Sequence, residues 1–536
     1  MDDQRTLVSY LAEDRVRAMS CGESLAPRSQ GSALFADISG FTAFTEGLRA
    51  RLGPRRGAEE LSLILDATYA ALIAEVEAES GSVICFAGDS ITCWFDAGIA
   101  AGTSGRRSAA GQALRCAFAL QEAMATTIMT KDAGEALRIK VSVASGEASR
   151  IVAGDPVRQL HDTIGGLTIT RMVMGEQLAE SGQVIIDSST GELVGEAFHR
   201  VGKRKDPTSA ESFSLVEAGA RQGPRRSAPQ RGAGAITLDP DSLRPWISDS
   251  VFRRQTTGQG ALINVFRPCV ALFVNFTGID LDAPEGGPRL DGLVRRIEEV
   301  ASRRGGELLQ VVVGDKGSYA YLAFGAVTAH EDDARRAVDA ALEIREFGAG
   351  EGLSSHPRTG ISSGTLFVGS YGGPTRRAFS ALGAEANIAA RLMQKAGPGE
   401  ILVSARMVRA LEGAFRVEEG HSLQLKGTLD SFDVFLVSGA RRERSVRLLE
   451  PVLGLPMSGR TAERQAIREA LDAAHGGCLR VVAMEGEAGL GKSRLLAELV
   501  KEARGRGFAC LGGASQAGSR RCLRASTLSW RAAVPR

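Results

Sequence analysis

The alternation of apolar and polar positions divides much of the chain into two stretches of similar design. The first begins with a strand-length apolar run, SALFADISGFTAF at 32–44, and the second with VALFVNFTGID at 270–280. Each run leads into a polar residue and a glycine, which is typical of a buried strand that ends in a turn. The recurrence of this run indicates an internal duplication.

The elements that follow each run recur in the same order. An amphipathic helical stretch comes first, at 58–79 and again at 289–305. Two apolar runs that flank a Gly-Asp pair follow at 83–95 and 308–324, and they predict a hairpin with aspartate at its tip. A second helix, a strand and a closing helix–Gly–strand unit complete both stretches. Each half is therefore predicted to be an α+β domain with mainly antiparallel strands.

Composition adds few constraints beyond this pattern. The chain has 536 residues, and 65 basic against 63 acidic residues leave a net charge of +2. Such a balance predicts neither a nucleic-acid nor an anionic-membrane partner. No apolar run reaches the roughly 18–20 residues of a membrane-spanning helix, and the N-terminus lacks a signal-peptide core. The eight cysteines never form CxxC, so we expect neither a zinc site nor disulfides, and a cytoplasmic location.

Two aspartates stand out as candidate metal ligands. Asp37 and Asp89 each follow a predicted strand beside a glycine turn. If the two strands are neighbours, both carboxylates emerge at one edge of the sheet, where they suit Mg²⁺ together with substrate phosphates. Alone, either aspartate could simply cap a turn. The glycine turn after Asp37 also offers backbone N–H groups to phosphate oxygens.

Three blocks carry a family resemblance: FADISGFT at 35–42, FAGDS at 86–90 and GAEANIAARLM at 383–393. They resemble the signature blocks of the class III nucleotidyl cyclases. Two such domains before a phosphate-binding ATPase motif are similar to the soluble, bicarbonate-responsive adenylyl cyclases and their bacterial relatives. The resemblance implies two ferredoxin-like cyclase domains that form a pseudo-heterodimer within one chain, followed by the start of an α/β P-loop domain.

The expected domain organisation follows from this resemblance and from the Gly-, Pro- and Arg-rich stretch at 219–235. It comprises an N-terminal helical segment, a metal-binding cyclase domain, a linker, a cyclase domain that stabilises the transition state, and a partial ATPase region. Their predicted bounds are 1–27, 28–218, 219–250, 251–440 and 441–536.

The resemblance assigns roles to residues of both halves. Asp37 and Asp89, with Ile38 beside Asp37, would form the metal site for two Mg²⁺ or Mn²⁺ ions. On one face of a helix, Asn387 would orient the nucleotide and Arg391 would stabilise the charged transition state. Arg391 could otherwise be an ordinary exposed helix charge. The remaining nucleotide contacts are assigned to Ser39, Gly40, Phe41, Thr42, Lys140, Ser380 and Ala381.

Each half lacks what the other keeps. Asn275 stands in the second half where Asp37 stands in the first, although Asp315 retains the later aspartate. Counting back from the closing glycines puts Thr170 and Met174 at the positions of Asn387 and Arg391, with Arg171 on another helix face. The sequence therefore predicts one composite site and one pseudo-site.

Other positions depart from the family pattern. Cys85 replaces an expected lysine, and either Gln310 or Val311 replaces the residue expected to read the base. Together with Met174, Cys85 makes a bicarbonate response doubtful, and the choice between ATP and GTP is left open. Lys140 is equally well interpreted as a phosphate-facing residue or as a strand lysine that reaches solvent.

A Walker A motif, GEAGLGKS at 486–493, follows an apolar run and precedes a helical pattern. Its predicted nucleotide contacts are Gly486, Gly489, Gly491, Lys492 and Ser493. Only 43 residues follow Ser493 and none forms a Walker B strand, so we expect a truncated module without ATP hydrolysis.

The sequence thus predicts an adenylate cyclase that converts ATP to cyclic AMP and diphosphate. The alternatives are a nucleotide-binding regulator without turnover, a guanylate cyclase, and a signalling ATPase that also carries cyclase-like domains.

Overall fold

The computed structural model describes most of the chain. The described residues are 6–39, 47–48, 51–98, 102–127, 138–207, 209, 211–218, 238–257, 264–313, 317–348, 350, 352–411, 414–424, 431–440, 459–485 and 492–508. They fall into two compact units, Met1–Ala440 and Arg441–Arg536.

The first half of the larger unit begins with helix α1 and contains an eight-stranded sheet. Its strands are β1 (Arg28–Ser39), β2 (Ser82–Ala87), β3 (Ser90–Asp96), β4 (Arg138–Ala153), β5 (His161–Gly165), β6 (Val184–Asp187), β7 (His199–Lys205) and β8 (Ser212–Glu217). Its helices are α1 (Glu13–Ser20), α2 (Pro54–Ala78), α3 (Thr103–Thr127), α4 (Leu167–Leu178) and α5 (Ser188–Val194).

Two short helices, α6 (Pro240–Leu243) and α7 (Asp249–Thr256), lead into the second half, which repeats this arrangement. Its strands are β9 (Val265–Phe276), β10 (Gly306–Val312), β11 (Ser318–Phe324), β12 (Arg358–Gly372), β13 (Arg377–Leu382), β14 (Ile401–Ser404), β15 (Phe415–Gln424) and β16 (Ser431–Ala440). Its helices are α8 (Gly286–Arg303), α9 (Asp333–Arg345), α10 (Ala384–Lys395) and α11 (Ala405–Leu411).

Both sheets have the same topology. The order β2-β3-β1-β4-β6-β8-β7, with β5 on β4, recurs as β10-β11-β9-β12-β14-β16-β15, with β13 on β12. The predicted α+β class is confirmed, and most pairs are antiparallel. The exceptions are the parallel pairs β4–β6 and β12–β14. Parallel pairing needs a crossover connection, and α4 and α10 supply it.

The two halves share their hydrophobic cores. Phe367, Tyr371 and Leu382 of the second half pack into the core of the first, around α2. Ile151 and Ala153 of β4 pack in turn into the core of the second half, around α8. Because each half completes the other's core, burial of apolar surface stabilises their association as well as their folds.

The N-terminal segment and the residues after the linker form a smaller cluster of their own. Leu7, Leu11 and Val16 pack against Leu243 and Val251. The backbone N–H of Arg377 donates to the Ser9 carbonyl at 2.6 Å, and the N–H of Asp14 to the Ser82 hydroxyl at 3.1 Å. The segment therefore contacts both halves.

The second unit is small in its described part. Helices α12 (Thr461–His475) and α13 (Lys492–Gly505) enclose Ile467, Leu471 and Leu495. The predicted strand before the Walker A motif is not formed there: Leu479 is 90% exposed and Val481 88%. A strand needs a neighbour to satisfy its backbone, and the described part of this unit holds none.

Candidate active site

The two predicted metal aspartates lie together at one end of the first sheet. Asp37 on β1 is directly opposite Ser90, the first residue of β3, and Asp89 precedes Ser90 in the β2–β3 turn. The Ile38 N–H donates to the Asp89 carbonyl at 3.2 Å, which fixes the two backbones side by side. Both carboxylates are half-buried. The structure therefore brings Asp37, Ile38 and Asp89 together.

Lys140 lies beside this pair. It is opposite Asp37 on β4, its Nζ is 3.5 Å from Asp37 Oδ2, and it also contacts Glu176 of α4. Burial lowers the pKa of Lys140, but the two carboxylates outweigh burial and the pKa is raised. The amine therefore stays charged at neutral pH and neutralises part of the charge of Asp37 and Glu176.

The donor set suits a metal that shares its ligands with a substrate. The described residues contain no group of three or more His, Cys, Asp or Glu side chains that could hold an ion on their own. Asp37 and Asp89 supply two hard oxygen donors, and Mg²⁺ is commonly held by one or two carboxylates plus substrate phosphates. The residues present therefore fit a metal that binds with a phosphorylated nucleotide.

Strand register identifies the corresponding positions of the second half. Asp37 is opposite Ser90 and Lys140, and Asn275 is opposite Tyr319 and Arg358 at the same places of the repeated sheet. Asn275 thus stands where Asp37 stands, and its amide donates to the Ser318 carbonyl at 3.2 Å. Counting back along β11 puts Ser318 at the position of Asp89. Asp315, three residues earlier, lies outside the described residues.

The register also decides between Gln310 and Val311. Strands β2 and β10 carry the same irregularity, between Val83 and Cys85 and between Leu308 and Gln310. Cys85 and Gln310 are the first paired residues after it, so Gln310 takes the place equivalent to Cys85. The Gln310 amide donates to the Phe86 carbonyl, three residues before Asp89. The position expected to read the base therefore lies next to the hairpin that carries Asp89, a predicted metal ligand.

Helices α4 and α10 are matched residue by residue. Both have 12 residues, and the glycines that precede them, Gly166 and Gly383, have positive φ angles of 107° and 147°. Four and eight residues after each glycine come Thr170 and Met174 in α4, and Asn387 and Arg391 in α10. Both residues of α10 are half-buried.

Arg171, also on α4, forms a 3.0 Å ion pair with Asp187 of its own half. It therefore does not replace the arginine that this half lacks.

A cavity of about 120 Å³ lies between the two halves. Ser380 and Gln310 of the second half line it, as do Cys85 and Asp162 of the first. Ala381 is buried beside Ser380, and its carbonyl accepts a 2.7 Å hydrogen bond from Tyr321. Burial raises the pKa of Cys85, so its thiol stays protonated and cannot replace a lysine charge.

Several predicted contacts fall on residues that are not described. Ser39 ends β1, but its side chain is not described, and Gly40, Phe41 and Thr42 lie outside the described residues. Gly486, Gly489 and Gly491 also lie outside the described residues. Lys492 and Ser493 begin α13, as a Walker A motif requires, but their side chains are not described.

A group of residues that sequence reasoning missed joins the two halves at the β2–β3 hairpin, which carries Asp89. Arg376, on the second half, donates to the carbonyls of Val83 at 2.9 Å and Ile84 at 2.7 Å on β2. Tyr371 packs its ring 5.5 Å from those of both Phe86 and Tyr69. Isolated arginines and tyrosines within ordinary strand and helix patterns carry no signal of such a role.

Comparison with known proteins agrees with this architecture. Residues 288–439 match the family model described as the adenylate and guanylate cyclase catalytic domain. The second half of the chain therefore resembles an adenylate or guanylate cyclase catalytic domain. Among curated proteins, the chain is 25% identical to rabbit (Oryctolagus cuniculus) adenylate cyclase type 10 over 508 residues, which covers 89% of this chain and 31% of the relative.

The human (Homo sapiens) adenylate cyclase type 10 is 23% identical over 68% of this chain and 24% of its own length. The chain thus spans about a third or less of the curated relatives that it matches. A solved class III adenylyl cyclase-like ATP-binding protein from Pseudomonas aeruginosa is 13% identical, with a TM-score of 0.48 over 72% of this chain and 85% of that one. Among the described helices, none has the length and apolar character to cross a membrane.

Proposed function

We propose that the chain is an adenylate cyclase with one composite active site between its two halves. The reaction is attack of the ribose 3′-hydroxyl of ATP on its α-phosphorus, which forms the 3′,5′ phosphodiester and releases diphosphate. The observation that carries the proposal is reciprocal loss at matched positions. In the second half, Asn275 and Ser318 stand at the positions of Asp37 and Asp89. In the first half, Thr170 and Met174 stand at the positions of Asn387 and Arg391.

In this proposal the first half holds the metals and the second holds the nucleotide. Asp37 and Asp89, with Ile38 beside Asp37, would bind two Mg²⁺ or Mn²⁺ ions. When bound, the metals would lower the pKa of the attacking hydroxyl and offset the charge of the leaving diphosphate. The backbone N–H groups from Ser39 to Thr42 and the Lys140 amine would contact phosphate oxygens.

The second half would position and stabilise the reacting nucleotide. Asn387 would orient the ribose and Arg391 would hold the pentacovalent phosphate, because a guanidinium is always charged and binds two oxygens at once. Ser380 and Ala381 would contact the base. The contact between Gln310 and Phe86 supports this arrangement, because it joins β10 of the second half to the β2–β3 hairpin that carries Asp89.

The test is cyclase activity of the purified chain with Mn²⁺ and with Mg²⁺, measured in parallel with ATP and GTP. We expect cyclic AMP from ATP, and we expect Asp89→Ala to lower the rate by at least about 10³-fold, because one of two metal carboxylates is lost. Asp96→Asn, at the far end of the same hairpin, is the control and should retain activity. A folded wild-type protein that forms no cyclic nucleotide would exclude the proposal.

One observation favours a second candidate, a regulator that binds a nucleotide without turnover. The Gln310 side chain donates to the Phe86 carbonyl, and Cys85 is a half-buried neutral thiol, so neither position offers a charged reader of the base. Calorimetric binding of ATP without product would select this function. Faster turnover of GTP than of ATP would instead identify a guanylate cyclase.

The Walker A segment is proposed as a second nucleotide site, with Gly486, Gly489, Gly491, Lys492 and Ser493 around the phosphates. Because Lys492 belongs to the second compact unit, we expect Lys492→Ala to leave cyclase activity unchanged.

A further inference from the structure

The turn that carries Asp89 is held by three separate donors, one for each successive carbonyl. The Ser90 hydroxyl donates to the Ala87 carbonyl at 2.8 Å, and the Tyr69 hydroxyl to the Gly88 carbonyl at 3.1 Å. The Ile38 N–H donates to the carbonyl of Asp89 itself at 3.2 Å. Because Gly88 has a φ of 69° and no side chain, these donors determine how the turn is oriented.

Tyr69 is the one side chain among these donors that comes from outside the hairpin and its neighbouring strand. It lies on α2 and is fully buried. Its ring is 5.2 Å from that of Phe86 and 5.5 Å from that of Tyr371, which belongs to the second half. The Arg376 guanidinium lies 5.4 Å from the centre of the Phe86 ring. The position of the Tyr69 hydroxyl is therefore set by packing from both halves.

The hydroxyl of Tyr69 keeps its proton at neutral pH. Burial raises the pKa of Tyr69 well above its ordinary value, and the nearby Tyr371, Asp89 and Asp37 raise it further. The group can therefore only act as a hydrogen-bond donor to the carbonyl, and it brings no negative charge to the two aspartates.

We propose that Tyr69 is a positioning residue of the metal site, which fixes the Gly88 carbonyl and so sets the direction of Asp89 relative to Asp37. The second half contributes to this orientation through the Tyr371 ring. The inference rests on the proposed function, because that function assigns Asp89 to the metals. The inference itself concerns the orientation of the turn and not the chemical step.

The test is Tyr69→Phe, which removes one oxygen and keeps the ring. We expect the Mn²⁺ concentration for half-maximal rate at saturating ATP to rise about 3- to 10-fold, the effect of one lost hydrogen bond. The kcat at saturating Mn²⁺ should stay within about twofold of wild type, because the ligand itself remains. Binding of Mn²⁺ with a non-reactive ATP analogue, followed by electron paramagnetic resonance, should weaken by the same factor.

Tyr10→Phe is the matched control. The Tyr10 hydroxyl is 2.5 Å from the Ser370 hydroxyl and accepts from the Gln255 amide, and neither partner belongs to the turn that carries Asp89. This variant therefore also loses a part-buried hydrogen bond but should bind Mn²⁺ like wild type. An unchanged Mn²⁺ constant in Tyr69→Phe, or an equal rise in both variants, would overturn the proposal.

Two further measurements keep the outcomes distinct. If Tyr69→Phe does not fold, Ser90→Ala loosens the same turn at the Ala87 carbonyl and should raise the Mn²⁺ constant in the same direction. If the wild-type protein makes no cyclic nucleotide, the proposed function fails, while the resonance measurement of Mn²⁺ binding still decides the role of Tyr69.

Discussion

Glu307 is a half-buried carboxylic acid on strand β10. Its Oε2 is buried without a hydrogen-bond partner. Burial raises the pKa of Glu307 to about 7, although a hydrogen bond from Ser250 and the charge of Arg254 on α7 oppose the rise. The negative charge of Asp249, on the same helix, also raises the pKa of Glu307.

This group makes stability depend on pH. The folded state binds the Glu307 proton more tightly than the unfolded state, whose pKa is near the ordinary 4.5. The protonated carboxyl therefore contributes its full stabilisation of the folded state below pH 4.5, and this stabilisation is lost as the pH rises through about 7. We predict that Glu307→Gln, which keeps the shape without the charge, is more stable than wild type at pH 8 by about 1–2 kcal/mol and similar to it at pH 4.

Urea denaturation at the two pH values measures this difference. Glu299→Gln on the exposed side of α8 is the control and should show no such gain at pH 8. A Glu307→Gln variant that is no more stable than wild type at pH 8 would show that the carboxylate is better solvated than its burial implies.

At the scale of elements, the position of α10 depends on a single small residue of β12. A Cβ at Gly360 would overlap the backbone of Ala389 and Met393. In the first half the small residue lies on the helix instead: a Cβ at Gly175 of α4 would overlap the Ser142 hydroxyl of β4. A glycine thus allows the helix to pack closely on the sheet in each half. It lies on the strand in the second half and on the helix in the first.

Gly360→Ala is therefore expected to push α10 away from the sheet. We predict a loss of about 2–3 kcal/mol of stability from overpacking. The kcat of the protein that remains folded should also fall, because Asn387 and Arg391 lie on the displaced helix. The measurements are the denaturation midpoint and kcat of the folded fraction.

The control for this variant is Gly292→Ala on α8. A Cβ at Gly292 meets no atom within 4 Å, so alanine should raise stability by about 0.5–1 kcal/mol through its helix propensity. Equal behaviour of the two variants would contradict the close packing of α10 on β12.

At the scale of the whole molecule, both parts of the proposed site belong to one compact unit, Met1–Ala440. A mixture of two full-length variants, Asp89→Ala and Arg391→Ala, tests whether the halves act within one chain. We predict no recovery of activity, because each variant lacks one essential group in its single composite site. Substantial activity of the mixture would indicate that halves of different chains combine, and each variant assayed alone gives the baseline.

The sequence by itself determined the duplication, the order of the elements and the residues lost in each half. These features are visible because apolar periodicity and short motifs are local. Spacing within the repeat singled out Asp37, Asp89, Asn275 and Met174, and the family resemblance supplied their expected roles. The predicted strand before the Walker A motif was wrong for the described part of that unit, since a strand depends on neighbours that local pattern does not supply.

Only the tertiary structure decided which residues meet. The choice of Gln310 over Val311 required the register of β10 against β11. The connection between these strands is longer than the one between β2 and β3, so counting back from the Gly-Asp pair gives Val311 instead. The contacts of Lys140 with Glu176, and of Tyr371 and Arg376 with β2, join residues that are between 36 and 293 positions apart. No local pattern encodes such pairs, because they arise from the way two sheets and their helices pack against each other.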